Sequence, residues 1–251
     1  AGILVNWDDF DALSSVTPLL AKIYPNGQAD INHFQAAGGM AYLIKELLRG
    51  GLLHNDVTTI CGEGLDKYTQ EPVVRDGKLM WVDGPTKSLD DEVLATIEKP
   101  FKADGGLSAL SGNLGRAVIK TSSLRAGKTT VKAPAVVFES QHDIDAAFQA
   151  GDLDKDCVVV VRYQGPRAVG MPELHKLTPP LSVLQDKGFN VALVTDGRMS
   201  GASGKVPAAI HLYPEALDGG LIAKVQNGDI IEINADKNIV QLHVSEEELA
   251  K

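Results

Sequence analysis

The rhythm of apolar and polar positions changes once along the chain, near residue 70. Before that point apolar residues recur at helical spacing, and Phe10, Leu13, Val16, Leu20 and Ile23 predict a helix over residues 8–24. Pro25-Asn26-Gly27 closes it with turn chemistry. Residues 30–37 and 40–49 read as two further helices around Gly38-Gly39, the second stopped by Gly50-Gly51. Short apolar runs at 3–5 and 57–60 predict strands, so residues 1–70 read as the end of an α/β domain.

Beyond residue 70 the pattern shortens to alternating runs separated by Gly, Asp and Pro. Strands are predicted at 79–82, 108–110, 117–120, 134–139, 157–163, 191–195, 206–212, 229–234 and 239–244, with helices at 140–151 and 179–187. Many short strands with regular turn signals point to a barrel or sandwich. The reading is therefore an α/β segment (1–70), a charged connector interrupted by Pro100 (71–104), and a mostly β domain, a barrel flanked by helices (105–251).

Composition narrows the function more than the fold. A net charge of −9 removes the attraction that drives nucleic-acid binding, and the densest basic stretch, residues 120–132, holds only four Lys or Arg. No apolar run approaches the roughly 20 residues of a membrane span. The N-terminal AGILVNWDDF has no basic start typical of a secretory signal. It begins on an apolar run without Met, as a chain entered in mid-domain would. Two cysteines, Cys61 and Cys157, make no disulfide framework and fall short of cluster ligation, so both read as buried small hydrophobes in a reducing, cytoplasmic setting.

The richest chemistry lies in residues 195–205, TDGRMSGASGK, directly after the apolar run VALVT. Its glycines let backbone N–H groups converge on an anion, and Arg198, Ser200, Ser203 and Lys205 add donors. The nucleotide-cradling G-x-x-x-x-G-K-[ST] pattern fails, because Met199 and Val206 stand where Gly and Ser or Thr are needed. A purely structural glycine loop fits the composition equally well. Residues 162–176 form a second such loop, where Glu173 and His175 suit metal binding or proton handling, or a solvated loop with a capping Glu. Residues 110–116 read as a hairpin. Asp143 and Asp145 suit a helix's first turn. Asp30 and His33 are too few for a metal site.

LSGNLGRAVIK, RYQGPRAVGMPELHKL, LVTDGRMSGASGKVP, PEALDGG and NGDIIEIN occur in that order. In this the chain resembles the dihydroxy-acid/6-phosphogluconate dehydratase family, over nearly its whole length. VNWDDF, ADINHFQAAGGM, FESQHDIDAAF and LHKLTPPL resemble the branch acting on the phosphorylated sugar acid. The match is to the C-terminal part of family members. The resemblance implies a barrel akin to the swivelling domain of aconitase. It implies loss of water from 6-phospho-D-gluconate to give 2-dehydro-3-deoxy-6-phosphogluconate, an Entner–Doudoroff step. It also implies an iron–sulfur cluster, 4Fe–4S by family habit, with its ligands in the missing N-terminal half and none in this chain. A homodimer of the full-length protein is implied too, with no nucleic-acid or membrane partner.

Two roles carry over by motif. The serine of T-D-G-R-x-S-G falls on Ser200, the family's alkoxide base. The glutamate of G-M-P-E falls on Glu173, a Mg2+ ligand in relatives that keep that ion. Binding of the substrate's phosphate or carboxylate is assigned to Arg198, Ser203 and Lys205 on chemistry alone. Alone, the chain is expected to be inactive. The competing readings are a non-catalytic small-molecule-binding or interaction barrel, and a dehydratase of another sugar acid.

Overall fold

The computed structural model describes residues 2–200 and 204–249, which fall into two units: residues 14–105, and residues 1–13 with 106–251. The first helix, α1 (Trp7–Val16), stops well short of residue 24. Thr17-Pro18 explains the early stop, since a residue preceding proline is pushed out of the helical region. No residue of α1 is buried, and the run 3–5 expected as a strand is exposed and not a strand.

In the 14–105 unit, α2 (Ile31–Ala36) begins on Asp30, whose carboxylate accepts the N–H groups of Asn32 and His33 at 2.8 and 3.1 Å. That capping box uses the Asp–His pair structurally. α3 (Gly39–Arg49) follows. Two small hairpins complete the unit: β1 (Thr58–Thr59) with β2 (Gly62–Glu63), and β3 (Gln70–Arg75) with β4 (Lys78–Asp83). Residues 71–104, read as a connector, contribute β4 and buried Val93 and Leu94. Those two pack with Phe34, Ala37 and Tyr42 of α2 and α3.

The second unit is an eight-stranded closed barrel of mixed direction. Its strands are β5 (Leu107–Gly112), β6 (Gly115–Lys120), β7 (Thr130–Phe138), β8 (Cys157–Val161), β9 (Val191–Thr195), β10 (Ala208–Tyr213), β11 (Ile230–Asn234) and β12 (Ile239–His243). Strands β7, β8, β9 and β10 run parallel. β10 returns antiparallel to β6, and β5–β6 and β11–β12 are hairpins. The period of two is visible in the packing. Val158, Val160, Ala192 and Val194 point into the barrel with Ile119, Ile231 and Val240. Cys157, Val159, Val161 and Leu193 point outward against Ile144 of α4 (Gln141–Ala150) and Leu181 and Leu184 of α5 (Thr178–Asp186). A short helix, α6 (Glu246–Leu249), ends the described chain. Among the described residues no helix is long and apolar enough to cross a membrane.

Candidate functional site

Because β8 and β9 are parallel neighbours, the loops that follow them leave from the same rim. These are the two loops singled out in the sequence. Glu173 and Arg198 form an isolated parallel bridge, and the Leu174 N–H donates to the Arg198 carbonyl at 3.2 Å. The side chains then join the loops. Arg198 Nη1 donates to Glu173 Oε2 at 2.6 Å and its Nε to the Met171 carbonyl at 2.9 Å. The Ser200 backbone N–H donates to Glu173 Oε1 at 2.7 Å. With side chains 45% and 30% exposed, the Arg198–Glu173 pair is screened and by itself stabilises little. What it does is fix geometry, because one carboxylate holds both the cation and the backbone of the serine.

Buried carboxylates anchor the turn from below. Asp196, 1% exposed, accepts the N–H groups of Gln164 (2.9 Å), Ala216 (2.9 Å) and Tyr163 (3.2 Å). Glu215 accepts those of Arg167 at 3.0 Å and Ala168 at 3.3 Å. Between them Gly197 passes so close to Gln164 and Leu174 that a Cβ would stand 2.7 and 2.8 Å from their carbons. Only glycine fits there.

Next to this turn lies a cavity of about 570 Å³, lined among others by Trp7, Met171, Asp196, His211 and Glu215. That volume is in the range of small-molecule sites. His211 sits at φ 54°, inside the register shift between Ile210 and Tyr213, and its N–H donates to the Gly197 carbonyl at 2.9 Å. Its ring lies 5.4 Å from that of Trp7. Burial, and then the charge of Arg198, hold its imidazole below the usual histidine range, which favours the neutral ring near pH 7. A larger hollow of about 890 Å³ near Val137, Arg162, Val225 and Asn227 is lined by none of Glu173, Arg198, Ser200 and Lys205.

Of the residues expected from sequence, Glu173, Arg198 and Ser200 come together directly. Lys205 lies partly buried on the segment leading into β10. Ser203 lies outside the described residues. The hairpin 110–116 is structural: Asn113 Nδ2 donates to the Leu242 carbonyl and its Oδ1 accepts the Leu242 N–H, both at 2.8 Å. Trp7, His211 and Glu215 carry no role in the sequence reading, and Asp196 lies within the 195–205 segment but has none there either. Trp7 is far off in sequence, and the acids look like ordinary turn residues. His211 did carry a signal, a lone histidine within an apolar strand run.

A metal centre does not fit the described residues alone. Among them no three His, Cys, Asp or Glu are placed to hold an ion, and both oxygens of Glu173 already take donors. Cys157 is buried in the barrel unit, whereas Cys61, expected to be buried, is exposed in the other unit. The Gly62–Glu63 hairpin it precedes is too small to cover it.

Taken together, fold and site define a mixed-barrel domain that presents a carboxylate-braced serine loop beside a sugar-sized cavity. The family model described as dihydroxy-acid/6-phosphogluconate dehydratase, C-terminal, matches residues 92–251, and its N-terminal counterpart matches residues 1–68. The chain belongs to that family. It is 62% identical over 250 residues to the phosphogluconate dehydratase of Escherichia coli (strain K12), a match covering 100% of this chain and 42% of that protein. The phosphogluconate dehydratase of Pseudomonas aeruginosa is 57% identical over 248 residues, 99% of this chain and 41% of that protein. The dihydroxy-acid dehydratase of Caldanaerobacter subterraneus is 35% identical over 255 residues, 100% of this chain and 43% of that protein. The chain thus spans about two fifths of the length of the curated relatives it matches.

Proposed function

We propose that this chain is the base- and substrate-binding part of an enzyme that dehydrates 6-phospho-D-gluconate to 2-dehydro-3-deoxy-6-phosphogluconate. Relatives bearing the name phosphogluconate dehydratase, at 50–62% identity, support the substrate. The observation that carries the site is the Glu173 carboxylate, which binds the Ser200 N–H and Arg198 at once.

The reaction removes a weakly acidic proton from the carbon next to a carboxylate, and hydroxide from its neighbour. Ser200 takes the proton through its hydroxyl oxygen. A serine oxygen is basic only as its alkoxide, which needs nearby positive charge and directed N–H groups. Arg198, two residues away and held by Glu173, brings that charge to the loop, and Asp196 keeps the turn from relaxing. Lys205, Ser203 and the outer face of Arg198 meet the anionic ends of the substrate. An iron–sulfur cluster or Mg2+ would be assembled with residues beyond those described here, and Glu173 serves in this structure as a brace. The likeness of the barrel to the aconitase swivelling domain and a homodimer of the full-length protein belong to the same proposal. So does a division into an α/β portion over residues 1–70, a connecting stretch over 71–104 and a barrel domain over 105–251; the two family models, which cover residues 1–68 and 92–251, support a break between residues 68 and 92.

The test is anaerobic 2-oxo acid formation by the full-length protein, with 6-phosphogluconate and gluconate offered separately. Ser200→Ala should lower turnover by about a hundredfold to ten-thousandfold at unchanged melting temperature. Undiminished turnover removes Ser200 as the base, and equal use of gluconate removes the phosphorylated substrate.

A further inference from the structure

The serine loop re-enters the barrel through Gly204 and Lys205, and what it meets there was not anticipated from the sequence. β10 pairs antiparallel with β6, with Ile210 opposite Val118. That pairing carries the segment before β10 alongside the end of β6 and the turn that follows it. Gly204 is the point of contact. A Cβ on it would stand 2.2 Å from the Ser123 hydroxyl oxygen, 3.0 Å from Lys120 Cδ and 3.5 Å from Lys120 Cε. Lys120 is the last residue of β6, and Lys205 directly follows the glycine. Lys120 of β6 therefore lies against the backbone immediately before Lys205.

Two further facts mark this place as built for an anion. The Ser123 hydroxyl oxygen is buried without a hydrogen-bond partner, a costly arrangement that calls for a reason. Lys120 is partly buried, and that burial lowers its ammonium from the ordinary lysine range, so an anion arriving there meets a poorly hydrated cation. Arg125 and Lys128 also lie on this stretch. Arg125 donates to Asp186 at 2.5 Å and Lys128 to Asn190 Oδ1 at 2.7 Å.

We propose that Lys120 and Ser123, with Lys205, form the subsite for the phosphate group of the substrate. The assignment rests on the phosphogluconate reading and adds specificity-determining residues to it. It divides the labour: Arg198 stays with Glu173 and the serine loop, and the pair of lysines recognises phosphate. Lysine suits a tetrahedral dianion as a point charge with rotatable donors.

The experiment compares the full-length protein with its Lys120→Met and Ser123→Ala variants. KM and kcat are measured for 6-phosphogluconate, and titration calorimetry measures affinity for inorganic phosphate. Lys120→Met should raise KM by about tenfold or more, the scale of one charge-assisted hydrogen bond, with kcat within about twofold. Phosphate affinity should fall by a similar factor. Ser123→Ala, which deletes a hydroxyl with no partner, should leave the melting temperature unchanged or higher while also raising KM. Wild-type KM and wild-type phosphate affinity in both variants would overturn the subsite. A loss of kcat with a lowered melting temperature and unaltered phosphate affinity would do so as well. If the unaltered enzyme turns over no 6-phosphogluconate, the functional reading falls, and calorimetry with inorganic phosphate still decides the subsite.

Discussion

Cys61 and Cys157 have the same chemistry and opposite surroundings. Cys157 opens β8, wholly buried among Ile144, Leu153 and Val191, and burial pushes its thiol up to about 11. The unfolded chain ionises that thiol at a lower pH than the native protein does. Stability from keeping it neutral is therefore complete below the unfolded pKa and is lost as pH rises from about 9 toward 11. Urea midpoints should fall across that interval, and Cys157→Ala should flatten the fall. In the native protein at pH 8 a thiol reagent should modify one equivalent, at Cys61, and reach Cys157 only with denaturant. Rapid native labelling of both thiols would contradict the packing of β8. The same residue scale shows why sequence could find Glu173 and Ser200 yet not their relation. Each stood out by its motif, but the 2.7 Å contact between them exists only because β8 and β9 are parallel neighbours.

At the scale of elements, the helices flanking the barrel rest on local chemistry that can be tested singly. The Ser140 hydroxyl caps α4 by accepting the His142 N–H at 3.2 Å. Ser140→Ala should cost about 1 kcal/mol in denaturant unfolding, with no change at the serine loop; no loss at all would mean that solvent caps the helix equally well. Elements governed by such local rules were legible in the sequence. The run 191–195 is found as read, and the strands read at 108–110, 117–120, 229–234 and 239–244 differ from β5, β6, β11 and β12 by a few residues at most. Their short apolar runs are the direct imprint of strands that wall the barrel. The strand β3 escaped because QEPVVR carries charges and a proline and buries neither face. Residues 3–5 misled for the opposite reason, being apolar yet exposed. Periodicity reports burial, and where an apolar run is not buried it reports nothing about pairing.

For the whole molecule, the decisive quantity is how much of the proposed catalytic apparatus the described residues carry. The barrel supplies a braced serine, a cavity and two lysines, while its described acids and thiols assemble no metal site. Expressed alone, the 251-residue chain should form no detectable 2-oxo acid from 6-phosphogluconate under anaerobic conditions. Joined to the N-terminal portion its relatives carry, it should do so, and activity of the short chain alone would reject this division of labour. Closure of the barrel, in turn, has a consequence for how copies of the chain meet. Each of its eight strands has a neighbour on both sides, so the barrel offers no open ladder to a stray strand. The β3–β4 ribbon has two open rims, and Val74, Leu79, Met80 and Trp81 stand exposed along it. Of the two open ribbons, this one carries those exposed apolar side chains, and a lysine in place of Val74 should blunt strand-by-strand clumping there while leaving the serine loop untouched.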